Sequence, residues 1–143
     1  MTYTIQFEEN PTNAEIQILQ DGIADYAKQM KRQEPLKFFG YFVRDNENHI
    51  KGGCNGCIYY GCLYIDNLWV AEELRGKTYG TQLMQFAEQF GKNNHALFST
   101  VNTMDWEALG FYKKLGYAVE FERTGYINNS TFYFLKKDFD KLS

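Results

Sequence analysis

The chain has no excess of basic residues. Its 15 Lys and Arg are outnumbered by 18 Asp and Glu, for a net charge of −3 and a pI near 5.4 over 143 residues. Nucleic acid needs a basic face, so that partner class is excluded at the level of composition. No apolar stretch approaches the roughly 18 residues of a membrane span. The first residues, MTYTIQFEEN, lack a basic start followed by an apolar run, so they read as no targeting segment. There are three cysteines, Cys54, Cys57 and Cys62, and an odd number without a leader reads as reduced thiols in a cytoplasmic protein. Cys54 and Cys57 have C-x-x-C spacing, but zinc would need a second pair and only Cys62 remains, so no metal is expected. There is no linker, repeat or low-complexity stretch.

What is abundant is aromatic: 12 Phe, 11 Tyr and 2 Trp, or 17% of the chain. Aromatics favour strands and can also line a pocket. Charged residues at 23% and hydrophobic ones at 44% are ordinary for a globular protein, and the length fits one domain, residues 1–143.

Periodicity gives the order of elements. Residues 2–8 alternate (Tyr3, Ile5, Phe7) and predict a strand. Pro11-Thr12-Asn13 gives a turn and a cap, with Glu15 in the first turn of a helix over 13–31. Its apolar positions, Ile16, Leu19, Ile23, Tyr26, Ala27 and Met30, recur at helical steps. Strands are predicted at 37–44, 49–60 and 63–70, the last (LYIDNLWV) apolar enough for a central place. A glycine-containing turn at 75–80 leads into a helix over 81–91. A buried strand at 96–101, a short helix at 104–115 stopped by Gly116, and strands at 117–123 and 131–135 complete a mixed α/β domain.

The chemistry concentrates between strand 63–70 and helix 81–91. A turn whose backbone N–H groups open a helix favours an anion. Gly76 and Gly80 let a phosphate approach the backbone, and Arg75 and Lys77 add positive charge. Such a turn also occurs as a plain connection with exposed basic residues, and the turn alone leaves both readings open. A nucleotide-triphosphate loop is a third: AEELRGKT is one substitution from G-x-x-x-x-G-K-[ST]. Against it, Ala71 replaces the first glycine, Glu72 and Glu73 would repel a triphosphate, and the next strand, ALFSTV, ends without an Asp for magnesium.

The stretch LYIDNLWVAEELRGKTYGTQLMQFAE resembles the coenzyme A-binding core of the GNAT superfamily of acyl-CoA-dependent N-acyltransferases. The family signature [Q/R]-x-x-G-x-[G/A] falls on Arg75-Gly76-Lys77-Thr78-Tyr79-Gly80, with Thr78 where a glycine is usual. Thr resists φ > 0, although its hydroxyl could meet a phosphate oxygen. Downstream, VNTMDWEALGFYKKLGY resembles the family's N…A…FY-x-K-x-GF segment through Asn102, Ala108, Phe111, Tyr112, Lys114, Leu115, Gly116 and Tyr117. The likeness covers about residues 36–137.

The resemblance implies a mostly antiparallel mixed sheet of six to seven strands flanked by helices, splayed at its centre for acetyl-CoA. It implies that the pantetheine pairs with the backbone of Leu68, Trp69 and Val70, and that the diphosphate sits on N–H groups from Arg75 through Thr81, Tyr79 included. Asn102, at the end of its strand, would face the pantetheine or the acceptor, and Phe111 would pack beside the coenzyme. Tyr112 aligns with the tyrosine that protonates the leaving thiolate, a phenol of pKa ~10 donating to a thiolate of pKa ~8.5. Asp66, a carboxylate in an apolar strand, would be the base that takes the amine's proton, directly or through water. Glu120 and Glu122 are weaker candidates, and His49 and His95 read as surface residues. The implied reaction is direct acetyl transfer to a primary amine, with no cysteine intermediate. A module that binds acetyl-CoA without transfer is the alternative. Homodimers are common among such relatives, and a homodimer is among the expected partners. The acceptor is expected against the N-terminal helix, the strand carrying Phe38, Phe39, Tyr41 and Phe42, and the turn at 126–130.

Overall fold

A computed structural model describes residues 1–31 and 36–140, and they fall into two compact units, Met1–Pro35 and Leu36–Ser143. The first holds helix α1 (Asn13–Lys31). Its start is a capping box: Thr12 Oγ1 accepts the Glu15 N–H at 3.1 Å, and Glu15 Oε1 accepts the Thr12 N–H at 2.8 Å. The strand expected over residues 2–8 does not form. Its alternation is real, but among the described residues this unit offers no second strand to complete a ladder, and an unpaired strand is not stable in water.

The second unit is a six-stranded sheet in the order β1-β2-β3-β4-β6-β5, formed by β1 (Lys37–Arg44), β2 (Ile50–Tyr59), β3 (Cys62–Val70), β4 (Phe98–Met104), β5 (Ala118–Tyr126) and β6 (Ser130–Asp138). Every pairing is antiparallel except β3 with β4. Helices α2 (Tyr79–Asn93) and α3 (Leu109–Lys114) complete it. The helix expected over 104–115 is shorter than its apolar spacing suggested, because β4 runs on to Met104 and residues 105–108 turn. Among the described residues no helix is long and apolar enough to cross a membrane.

One face of the sheet carries the core. Cys54, Leu63, Ile65, Val101 and Leu135 are buried against Leu83, Met84 and Ala87 of α2 and Tyr112 of α3. Each such aliphatic side chain withdrawn from water contributes about 1.5–3 kcal/mol. Alternation along β1 divides its aromatics. Phe39 and Tyr41 stack on Phe90 and Phe86 of α2 at 5.1 and 5.5 Å, whereas Phe38 and Phe42 are exposed on the opposite face. The strand that was expected to meet the acceptor with four aromatics therefore turns only two of them away from the core.

Two features shape the centre of the sheet. β3 pairs with β4 only at Cys62, Leu63 and Tyr64, so residues 65–70 have no ladder partner on that side. On its other side the register with β2 slips between Asn55 and Gly56, where Ile65 and Asn67 face consecutive residues and Asp66 is the extra one. This bulge bends β3 just past its last pair with β4. Gly56 is what allows it, since a Cβ there would run into the Tyr64 carbonyl. Gly56→Ala is expected to destabilise the fold by about 3 kcal/mol or more in urea titration, because backbone rather than a side-chain tip must move. Wild-type stability would mean that the two strands pair without the bulge.

Candidate active site

The wedge between β3 and β4 is lined on one edge by the free backbone of residues 65–70 and closed below by the turn into α2. Leu68, Trp69 and Val70 pair with Cys54, Gly53 and Gly52 on the β2 side, which leaves their other edge open. These are the three residues that the resemblance implied would pair with an added arm through their backbone.

α2 begins at Tyr79, two residues before the expected start, so Tyr79, Gly80 and Thr81 form its first turn. The first backbone bond of the helix is Gln82 N–H to the Thr78 carbonyl at 3.0 Å, and no side chain caps it. The N–H groups of Tyr79, Gly80 and Thr81 are thus left to a ligand or water at the positive end of the dipole. Two residues bend the chain into this position with φ > 0: Gly76 at 75° and Thr78 at 69°. A Cβ on Gly76 would meet open space, so its glycine serves conformation rather than clearance. At Gly80 a Cβ would meet the Phe111 ring at an ordinary contact distance of 3.4 Å, so Phe111 packs directly beside this position. Arg75 was expected to be solvated. Its Nε instead donates to the Val70 carbonyl at 3.2 Å and braces the turn on the end of β3, while Lys77 is exposed.

Thr78 pays a conformational penalty in this turn, since a β-branched residue in the left-handed region costs about 1–2 kcal/mol. Its Oγ1 accepts a hydrogen bond from Gln82 Nε2 at 2.8 Å, which returns part of that. Thr78→Gly is expected to raise stability by about 0.5–1 kcal/mol, the strain relieved exceeding the entropy glycine adds to the unfolded chain. Thermal melts check it, and a lower melting temperature would mean the conformation is not strained.

Across the wedge, Asn102 is half-buried and lies two residues inside the end of β4, not at its end as expected. It pairs with Phe134 of β6 and sits beyond the last β3 pair at Thr100. Phe111 and Tyr112 project from α3, their rings 5.3 Å apart, and Tyr112 also packs on Tyr117 at 5.9 Å. Tyr112 is 7% exposed, and burial, with the Glu107 carboxylate second, pushes its phenol up to about 12. Among the described residues no enclosed side-chain oxygen or nitrogen lacks a partner, and the Tyr112 hydroxyl is in none of the fold's side-chain hydrogen bonds.

Asp66 was singled out as a carboxylate inside an apolar strand. The bulge instead turns it out: it is exposed, on the face away from α2, and close enough to raise the pKa of Tyr64, after burial, and that of Cys57, after burial and the Cys62 thiol. Cys54 lies in the core with Sγ against the Leu83 carbonyl, and burial pushes it up to about 11, which disfavours the thiolate. Glu120 and Glu122 are exposed along β5.

A buried polar group went unread in the sequence. Glu88 of α2 pairs with Lys137 of β6 at 2.7 Å, and the Tyr117 hydroxyl lies 3.0 Å from Glu88 and 2.8 Å from Ser99 of β4. It ties α2 to the strands beside the wedge and so fixes where the helix begins. Glu88 occupies a polar position in the helical pattern, one step from the apolar stripe, and only the identity of its distant partners separates it from a surface glutamate.

The Acetyltransferase (GNAT) family profile matches residues 3–117. A blasticidin-S acetyltransferase of Streptomyces morookaense is 29% identical over 105 residues, 73% of this chain and 77% of that protein. A protein of Agrobacterium tumefaciens assigned as an acetyltransferase superposes with a TM-score of 0.84 at 20% identity, over 96% of this chain and all of that one. A Bacillus anthracis protein assigned as a streptothricin acetyltransferase, solved with acetyl coenzyme A, gives 0.65 at 20% identity over 73% and 64% of the two chains. With a splayed sheet, an open helix start below it and a family match across four-fifths of its length, the chain belongs to the GNAT family of acetyltransferases.

Proposed function

We propose that this acetyltransferase moves the acetyl group of acetyl-CoA onto a primary amine of a small molecule, by direct attack while both are bound. The observation that carries this is the continuity of two unpaired backbone segments, the free edge of residues 65–70 and the uncapped N–H groups of Tyr79, Gly80 and Thr81, joined by one turn. The first fits an amide-bearing arm that adds to the sheet as a strand would. The second, with Arg75, Gly76, Lys77 and Thr78, fits a diphosphate. The names of the relatives, antibiotic acetyltransferases among them, support a small-molecule acceptor.

Acetyl-CoA supplies an acetyl group already activated as a thioester. Leu68, Trp69 and Val70 hold and orient the arm through backbone groups, and an N–H at Trp69 or Val70 polarises the carbonyl under attack. Asn102 and Phe111 bound the arm on the far side. Asp66 takes the proton that the ammonium must lose before it can attack, through water where the reach is long. Tyr112 donates to the departing sulfur. At about 12 its phenol is a weaker acid than the thiol, so its contribution is a hydrogen bond to the developing thiolate, and the sulfur leaves as the thiolate while the phenol keeps its proton. The test is thiol release from acetyl-CoA by purified protein with a panel of primary amines. Release that depends on the amine, with N-acetylated product in the mass spectrum, supports the reading. Binding of acetyl-CoA without any amine-dependent release would make the protein a sensor.

A further inference from the structure

The bulge at Asp66 has a second effect, on the sheet face opposite α2. It brings the side chains of Asp66 and Asn67, consecutive residues, to the same side. Asn67 Nδ2 donates to Asn55 Oδ1 at 3.0 Å across the strands. Two pairs further, Trp69 lies opposite Gly53, and Gly53 opposite Phe42. Together they enclose an open depression of about 270 Å³, with Gly53 as its floor and Phe42 and Trp69 as its walls. Both aromatics are 53% exposed, so the sheet and helices of the second unit leave their faces uncovered. The floor has to be glycine: a Cβ on Gly53 would sit 2.7 Å from the Tyr41 carbonyl and 2.9 Å from the Phe42 ring.

Resting on the acetyltransferase reading of the adjoining wedge, we propose that this depression holds the part of the acceptor remote from its amine, and that this part is a planar ring carrying a hydrogen-bond donor beside an acceptor, such as a cyclic imide. Three observations specify the ring. The volume is below the roughly 300–1,000 Å³ of whole-ligand sites, so it suits one ring rather than an entire acceptor. Two flat aromatic walls favour a flat occupant. The amides supply the edge chemistry. Their mutual bond uses one donor and one acceptor, which leaves the Asn67 carbonyl to accept and the Asn55 amide to donate. A purely hydrocarbon occupant would desolvate both amides without pairing them. Asp66, next along β3 on the same face, then meets the ammonium end. The acceptor is recognised at two points, charge at the bulge and ring in the depression.

The test uses the full chain at saturating acetyl-CoA with three primary amines: 1-(2-aminoethyl)uracil, its N3-methyl analogue and 2-phenylethylamine. The uracil amine is expected to show a kcat/KM at least about tenfold above the other two, the worth of one added hydrogen-bonded contact. The gain should fall mainly in KM. Phe42→Ala and Asn67→Leu, each checked for folding by circular dichroism, should each collapse the ratio of uracil amine to phenylethylamine toward one. Equal kcat/KM for all three amines, or a preference that survives both substitutions, overturns the proposal and leaves acetyl transfer standing. Should no amine release thiol, the transfer reading fails, and the depression is judged by fluorescence in a Trp106→Phe background, where Trp69 is the sole tryptophan. Saturable quenching by the uracil amine but not by its N3-methyl analogue supports the ring site, and no quenching overturns it.

Discussion

Tyr112→Phe is expected to lower kcat for amine acetylation by about 10²-fold or more while leaving the affinity for acetyl-CoA unchanged. The magnitude is that of one hydrogen-bond donor removed from a charge that develops in the transition state. The affinity should hold because the diphosphate site proposed on the start of α2 uses backbone groups that the substitution does not touch, and Phe111 keeps its place beside Gly80. The fold should hold as well. The ring contacts with Phe111 and Tyr117 survive the loss of one oxygen, and among the described residues that oxygen has no hydrogen bond to lose. Steady-state thiol release measures the first quantity and calorimetric titration with acetyl-CoA the second. A fall in kcat alone identifies an interaction made in the transition state. An unchanged kcat would remove Tyr112 from the chemistry, and water would then have to solvate the departing thiolate. The family membership would be untouched, since it rests on the whole match.

Most of the sheet could be read from alternation and turn chemistry. The Tyr60-Gly61 turn between β2 and β3 has both residues at φ > 0, as a two-residue hairpin requires, and the sequence marks it with a glycine after an apolar run. The turn into α2 was legible for the same kind of reason: glycines before a helical period mark a turn, although they left open whether it binds an anion. The misreadings share one cause, in that the deciding partner lies elsewhere in the chain. Residues 2–8 alternate as a strand does, but pairing is decided by a neighbour that the pattern cannot name. Asp66 looked like a carboxylate inside an apolar strand because LYIDNLWV contains no sign of a bulge. The bulge is encoded on the opposite strand, in the missing side chain of Gly56. Asn55 and Gly56 were read as the filling of a C-x-x-C spacing, which drew attention to two thiols and away from the amide and the glycine that shape the face. Glu88 and Tyr117, 29 residues apart, are unremarkable until the fold joins them.

That buried pair leads to the second large effect, a steep loss of stability in alkali. Burial, with Glu107 in second place, pushes Tyr112 up to about 12. Burial and then the Glu88 carboxylate, 3.0 Å away, push Tyr117 higher still. In the unfolded chain both phenols ionise near pH 10. Below that pH they are neutral in both states and contribute no pH dependence. Above it the unfolded chain releases protons that the folded chain retains, so stability falls as pH rises. Two pKa units of separation at about 1.36 kcal/mol each make the Tyr112 loss on the order of 2.7 kcal/mol by pH 12, with at least as much from Tyr117. Set against a total of about 5–15 kcal/mol, this should bring unfolding into the range of pH 11–12. Urea midpoints between pH 9 and 12 measure it. Tyr112→Phe should flatten the decline by roughly a third, since the buried Cys54 thiol, pushed up to about 11, loses a comparable amount from pH 9 upward. Tyr117→Phe should start lower, having lost its bonds to Glu88 and Ser99, and yet decline less steeply. Both variants falling in parallel with wild type would show that neither phenol is shielded from water, and the case for a protonated Tyr112 beside the wedge would lose its physical basis.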